Sequence, residues 1–368
     1  MLHYLPRPDE IALPAAPALI KFLLVLTFIV HILLVDLVLG GGLIAVVTAI
    51  RFRRPEVPHP GALVGFIRRA LPIIVAFAIT FGVAPLLFVQ VLYGQFFYAG
   101  TILMAWPWLA VVVWLILGYY LWYAYALKEE VSPWVAGLGW LLFAIVGFTY
   151  VNMTVMSLTP ERWAMLYVRD QAGLNFPVHD PTLVPRFAHF LVAAIAVGGL
   201  FVVAHGLWSQ KRGDWGYGEW AISYGAAWFV APTVVQFAVG FLLLLNLPAP
   251  IKAQFLGGNA VMTAHLFGAA GLAFIAMILL GAAAAGSERA GPLAISGIAL
   301  VGVTVVVMAI VRQWVREAYL RPHFDPSQLA VKPQVGAIAL FLALLLAGLA
   351  VIGWMLLKLR RRTAEPSL

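Results

Sequence analysis

The chain is patterned as long apolar runs separated by short polar joints. Runs of about 20 or more apolar residues, the length a helix needs to cross a hydrocarbon layer of roughly 30 Å, recur about nine times. They lie at approximately 17–48, 70–97, 103–127, 132–158, 184–208, 219–247, 258–285, 293–317 and 334–358. The longest joints are 159–183, between the fourth and fifth runs, and 318–333, between the eighth and ninth. Neither is long enough for a separate soluble unit, so 1–368 reads as a single transmembrane domain. The 159–183 joint starts Thr159-Pro160-Glu161-Arg162-Trp163. Its aromatic and charged residues suit packing on the helix ends or on a partner, and equally suit a plain solvated loop.

Composition agrees. The chain is 63% hydrophobic and only 10% charged, too few charges to coat a water-soluble globule. The expected fold class is therefore all-α, a polytopic membrane protein. Its basic residues collect at alternate joints: Arg51, Arg53, Arg54, Arg68 and Arg69 around the first, Lys211 and Arg212 at a later one, Lys358, Arg360, Arg361 and Arg362 in the tail. Short cytoplasmic loops accumulate Lys and Arg, so this pattern predicts an external N-terminus, a cytoplasmic C-terminus and an odd number of spans. The net charge of +8 is then mostly an inner-face bias attracted to anionic lipid, and no nucleic-acid partner is expected. The first run reads as a retained helix rather than a cleaved signal. Cysteine is absent, which excludes disulfides, thiolate-held iron–sulfur clusters and covalent c-type haem. Any metal must be held by His, Met or carboxylate.

Ionisable groups at membrane depth are costly and so are candidate functional sites. At about 1.5 Å of rise per residue, His189 and His265 lie on the order of 10 Å below the outer surface, His31 roughly 20 Å and His205 about 32 Å. Two imidazoles at equal depth can clamp one haem iron, and His189 with His265 is the expected pair. The other reading of a lone intramembrane histidine is an interhelical hydrogen bond. His205 follows His189 by sixteen residues and points to nearly the opposite face, so an interfacial role beside Trp208 and Lys211 is expected for it. Met308, about 13 Å deep on the eighth run, is an axial-ligand candidate or simple packing. It precedes Arg312-Gln313-Trp314, where an arginine fork suits haem propionates. Asp36 is the one carboxylate well inside a span, a candidate for proton handling or for a buried ion pair. The Gly40-Gly41-Gly42 run below it suits close helix packing or a flat cofactor.

Several of these segments resemble the haem-bearing large subunit, subunit I, of cytochrome bd quinol oxidases. His31-Ile32-Leu33-Leu34-Val35 with Leu37 and Gly40 is similar to the segment carrying the oxygen-site haem ligand. Phe81-Gly82-Val83 through Gln90, Tyr93 and Gly94 resembles the family's second-helix motif. Pro185-Arg186-Phe187-Ala188-His189-Phe190-Leu191 through Gly198-Gly199 resembles the segment whose histidine ligates the low-spin haem, and Arg312-Gln313-Trp314 a degenerate G-R-Q-P-W. The resemblance implies nine helices, an external N-terminus, a bacterial-type inner membrane, haem b and quinone as cofactors, and other membrane subunits as partners. There are departures. The family's seventh-helix methionine ligand falls at or near His265. Two third-helix glutamates of its proton path fall near Val111 and Tyr119, and a glutamate haem ligand falls near Ala309 or Met308. The loop between helices six and seven, where the family binds quinol, is cut to Leu247–Asn259.

The expectation is a haem b electron-transfer subunit of a respiratory complex, relaying electrons between the quinone pool and an outer-face partner such as a c-type cytochrome. His189 and His265 would hold one haem, and His31 a second with its axial partner unassigned. One rival is a quinol:oxygen terminal oxidase of the bd type whose proton path is rebuilt through Asp36 and Tyr119. The other is a haem-free membrane scaffold or transporter.

Overall fold

The structure, a computed structural model, describes residues 12–52, 58–128, 130–286 and 289–362. Arg53 and Arg54, two of the basic residues expected to orient the chain, lie outside the described residues. Among the described residues, nine helical stretches are long and apolar enough to cross a membrane.

The first stretch is α1 (Pro17–Asp36), a π-helical turn (Leu37–Gly41) and α2 (Gly42–Arg51). Then follow α3 (Pro58–Leu103), α4 (Ala105–Leu127), α5 (Pro133–Leu158), the short α6 (Trp163–Arg169), α7 (Leu183–Lys211) and α8 (Trp215–Asn246). The five-residue α9 (Ala249–Ala253) leads through a second π-helical turn into α10 (Ala260–Ala284), and α11 (Ala290–Leu320) and α12 (Val335–Arg362) complete the chain. Local chemistry sets several of the starts. Proline stands at the beginning of α1 and α5, where its missing N–H is no loss. Asn259 accepts from the Val261 and Met262 N–H groups to start α10, and Asp214 accepts from Tyr217 N–H to start α8.

The expected spans match these helices, with one large shift. α3 begins a dozen residues before the expected start at 70 and runs for 46 residues. Arg68 and Arg69 are therefore part of a helix rather than of a joint. Arg68 lies over the Tyr125 ring at 4.8 Å and donates from Nε to the Tyr125 carbonyl, which lets its charge sit against apolar helix. α3 bends at Tyr93, whose φ of −134° and ψ of 30° leave the helical region.

The helices alternate between two ends of the bundle. At one, the loop end, lie 159–182 and 321–334. The segment before α1 pairs with the segment before α12, Leu13 N–H donating to Ala330 O at 2.8 Å and Lys332 N–H to Leu13 O at 2.9 Å. At the other, the basic end, lie Arg51 and Lys211-Arg212. α1 and α7 both run from the loop end to the basic end and meet backbone to backbone where Gly40 abuts the Ala194 carbonyl and Gly198. α7 and α8 are antiparallel and equally close. A methyl on Gly199 would stand 2.6 Å from the Gly225 carbonyl oxygen, and a methyl on Gly225 2.6 Å from that of Gly199. Lipid gives helices no hydrophobic reason to associate, so such small-residue contact, with its dispersion energy, is what holds the bundle together. α12 stands apart, with none of its spanning stretch buried.

Candidate haem-binding site

Two of the three candidate histidines share one local design, and the three face different helices. His31, on α1, donates from Nδ1 to the Ala78 carbonyl of α3 at 3.0 Å. One turn further along α3 a methyl on Gly82 would stand 2.7 Å from His31 Cε1, so the ring lies in a slot that only glycine leaves open. His265, on α10, donates from Nδ1 to the Val261 carbonyl of its own helix at 2.8 Å, and its ring sits edge-on to Trp314 with centroids 4.9 Å apart. In both, the proton is fixed on Nδ1 and the Nε2 lone pair is left to act as a ligand.

His189, on α7, faces α8 instead. Its Nδ1 lies 3.0 Å from Gln236 Nε2, and Gly240, one turn on, would carry a methyl 3.2 Å from His189 Cε1. With its nitrogen toward the ring, Gln236 donates to Nδ1 and its own Oε1 is buried without a partner. Turning the amide over lets Oε1 accept from Nδ1–H and frees the Nε2 lone pair, the state a metal requires.

These side chains are not brought together. His31 points at α3, His189 at α8 and His265 at α11, and α8 packs against both α7 and α10. The Gly40–Ala194 and Gly40–Gly198 contacts set α1 against α7 so that His31 and His189 lie within about one turn of the same level. The Phe237–Phe274 and Ser223–Ala284 contacts set α8 against α10. Counted from them, His265 lies on the order of 10 Å nearer the loop end than His189. The depths counted from the ends of the apolar runs differ from these because the helices do not start at one level: α7 begins beneath the 159–182 segment, while α10 begins after α9 and its π-helical turn.

Arg312, Gln313 and Trp314 diverge at about 100° per residue. Arg312 stands over the Phe28 ring of α1 at 4.1 Å, three residues before His31. Gln313 donates to the Tyr93 hydroxyl of α3 at 3.0 Å, and Trp314 meets His265 of α10. Arg316, one turn on, is buried and donates to Gln313 Oε1 at 2.8 Å. Arg186, one turn before His189, has a buried Nε without a partner and faces Tyr319. Among the described residues none of these three arginines has a carboxylate within ion-pair distance, because the nearby acids are taken: Glu317 by Lys21 at 3.0 Å and Asp180 by Arg162 at 3.1 Å.

The remaining candidates are less engaged. Met308 is half-buried on α11. Tyr119 packs edge-on against Tyr123, centroids 4.9 Å apart, with no hydrogen bond to Asp36 among the described residues. His205 is paired: its Nδ1 lies 2.8 Å from the Tyr217 hydroxyl and its ring stacks on Phe66 at 3.7 Å. Gln236, Arg316 and Gly240 are not among the candidates the sequence marks, and Arg186 and Gly82 enter it only within the segments that resemble the bd oxidase subunit. Gln236 is the one with a readable signal, a lone amide deep in an apolar run.

Does this donor set fit haem? Among the described residues no group of three or more His, Asp or Glu gathers to hold a bare ion. What the chain offers is single imidazoles, two of them with an anchored Nδ1–H, glycine slots beside two of the rings, and three guanidinium groups, Arg316 buried and Arg186 and Arg312 half-buried, without a carboxylate partner among the described residues. Imidazole, a flat space and cations for propionates are what an iron porphyrin needs from a protein, so the residues fit in kind.

No protein-family profile matches the sequence, and no curated protein matches it. Among solved structures it resembles a chain of the bd oxidase from Geobacillus thermodenitrificans, with a TM-score of 0.70 at 14% identity, over 95% of this chain and 98% of that one. This protein is thus a polytopic helical membrane protein with the fold of a bd oxidase chain. The resemblance read from its residues is borne out at the level of the fold.

Proposed function

We propose that this chain is a haem b-binding membrane subunit of a respiratory electron-transfer complex, passing electrons between the quinone pool and a partner at the loop end such as a c-type cytochrome. The observation that carries this reading is the imidazole design of His31 and His265, Nδ1–H anchored and Nε2 free, together with buried or half-buried arginines that have no carboxylate within ion-pair distance among the described residues. The fold likeness to a bd oxidase supports it.

His189 and His265 are the proposed axial pair of one haem and His31 the ligand of a second; as α8 stands between His189 and His265 and their levels differ by on the order of 10 Å, one iron held by both requires α10 to close on α7. Bound haem would supply one-electron redox chemistry at its iron. The chain's own residues do the rest. Gln236, Val261 and Ala78 hold the imidazole tautomers, Arg186, Arg312 and Arg316 offset propionate charge, and the apolar helix faces exclude water. The loop end is proposed as the outer face, because Lys211 and Arg212 stand at the other end and cytoplasmic loops favour such residues.

A reduced-minus-oxidised visible spectrum of the purified protein tests this: a haem b band is expected, and its absence would leave the haem-free scaffold as the better account. His265→Ala should turn one low-spin haem high-spin or empty. An unchanged low-spin spectrum would remove His265 from the ligand set.

The second reading, a quinol:oxygen oxidase, draws on the same fold likeness. Val111 and Tyr119 stand where the resemblance places proton-path glutamates, which weighs against it. Carbon monoxide decides: a six-coordinate haem does not bind it, and an oxygen-reducing haem does.

A further inference from the structure

Asp36 is 5% exposed, well inside the first span, and no hydrogen bond or ion pair reaches its carboxyl among the described residues. Buried carboxylates are otherwise matched by a cation or by several donors, because leaving a charge unmatched in an apolar interior costs several kcal/mol. Here each neighbouring element can be checked. On α1, His31 is five residues away and its Nδ1 is committed to Ala78. α3 carries no Asp, Glu, Lys or Arg between Arg69 and Leu103. α7 presents Arg186 and His189 nearer the loop end and His205 nearer the basic end, the last paired with Tyr217. α11 presents Arg312, which stands over Phe28 two turns nearer the loop end, Arg316 on Gln313, and Glu317 with Lys21. α5 carries only Tyr150 as a titratable group and α2 only Arg51, at the basic end, and none of these groups hydrogen-bonds or ion-pairs with Asp36 among the described residues.

A second, independent feature marks the same place. The π-helical turn Leu37–Gly41 begins at the next residue, and Gly40 within it presses on the α7 backbone at Ala194 and Gly198. One extra residue is thus wound into α1 just where it meets the helix bearing His189. Such π-turns are frequent at functional sites. By the α1–α7 register, Asp36 lies within about two turns of both His31 and His189.

We propose that Asp36 is a redox-linked proton site, a reading that rests on haem binding at His31 or His189. With no cation beside it among the described residues, the carboxyl carries a proton unless a positive charge arrives nearby. A haem b held at His31 or His189 would, when oxidised, place one such charge nearby and leave Asp36 ionised. One electron from a quinol-class donor removes that charge, and Asp36 binds one proton from the aqueous phase. The electron and the proton together leave the interior charge unchanged, and reoxidation releases both.

Reduced-minus-oxidised infrared difference spectroscopy, with a redox titration across pH, tests the proposal. Reduction should produce a protonated-carboxyl C=O band that shifts in deuterium oxide and in protein labelled with carbon-13 aspartate. The band should vanish in Asp36→Asn and return, displaced, in Asp36→Glu. The midpoint potential of the nearby haem should fall with rising pH, toward about 59 mV per unit for one proton per electron, and the slope should flatten in Asp36→Asn. The aspartate label in the natural sequence gives the answer even if the Asn variant does not fold. A normal haem b spectrum without an aspartate band, or with a slope unchanged in Asp36→Asn, would overturn the proton site and leave haem binding standing. A protein without haem b fails at the visible spectrum, before the infrared one, and takes the redox linkage with it.

Discussion

His189 and Gln236 face each other across the α7–α8 contact with 3.0 Å between Nδ1 and the amide nitrogen, and this pair fixes which imidazole nitrogen is left for a ligand. Replacing Gln236 by Leu removes that control at nearly constant volume. Loss of an outer-shell partner of a ligating histidine typically lowers metal affinity on the order of 10–100-fold. Haem retention through size exclusion should fall in Gln236→Leu and be preserved in Gln236→Glu, which still accepts from Nδ1–H. Equal retention in the Leu variant would mean that His189 is not oriented from α8.

Gly198 has no room for a side chain, since a methyl there would overlap the Gly40 backbone. Because the clash is with main chain, neither partner can rotate away. Gly198→Ala should separate α1 from α7 and destabilise the protein by at least the roughly 1–3 kcal/mol typical of overpacking. Thermal unfolding in detergent reads this, with Gly302→Ala, at a site with open space, as the control.

Gln313 has both faces of its amide in use. It donates from Nε2 to Tyr93 Oη at 3.0 Å and to Glu317 Oε1 at 3.1 Å, and accepts from Arg316 at 2.8 Å. Gln313→Leu leaves a buried guanidinium and a buried phenol without this partner, at about 1–3 kcal/mol for each unsatisfied group. Gln313→Glu should be milder, since a carboxylate still accepts from Arg316. A Leu variant as stable as the natural protein would show that water replaces the amide.

At the loop end, Asp325 accepts from Ser327 N–H at 2.9 Å at the start of a single 3₁₀ turn. The Ser327 backbone and hydroxyl hold its carboxyl below the usual carboxylate value. A folded value below the unfolded one means a contribution present above the unfolded value and lost as pH falls through the folded one. Asp325→Ala should therefore flatten the acid side of the stability profile of the 321–334 segment, read by limited proteolysis between pH 3 and 6 as an order-of-magnitude window for carboxylates.

The nine spans were legible in the sequence because the length of an apolar run is all that crossing a hydrocarbon layer demands. The runs starting at about 132 and 258 fall within two residues of the observed helix starts at Pro133 and Ala260, where Ser132 and Asn259 cap the first N–H groups. The start of α3 was hidden: Arg68 reads as a joint residue until the Tyr125 ring and carbonyl, 57 positions away in sequence, receive it. The site divides along the same line. His31, His189, His265 and Asp36 stood out because a polar group in an apolar run is expensive wherever it occurs. Their partners did not, since Ala78, Gln236, Gly82 and Gly240 matter only through contacts between helices. Relative depth was hidden too. A count from the end of a run places a residue on its own helix, whereas the level of one helix against another is set by where their small residues let the backbones touch, as at Gly40–Gly198 and Gly199–Gly225. The sequence by itself determined which groups would be buried in lipid. Only the tertiary structure decided which face each one meets, because that depends on helix register, a property of pairs of helices that no single run encodes.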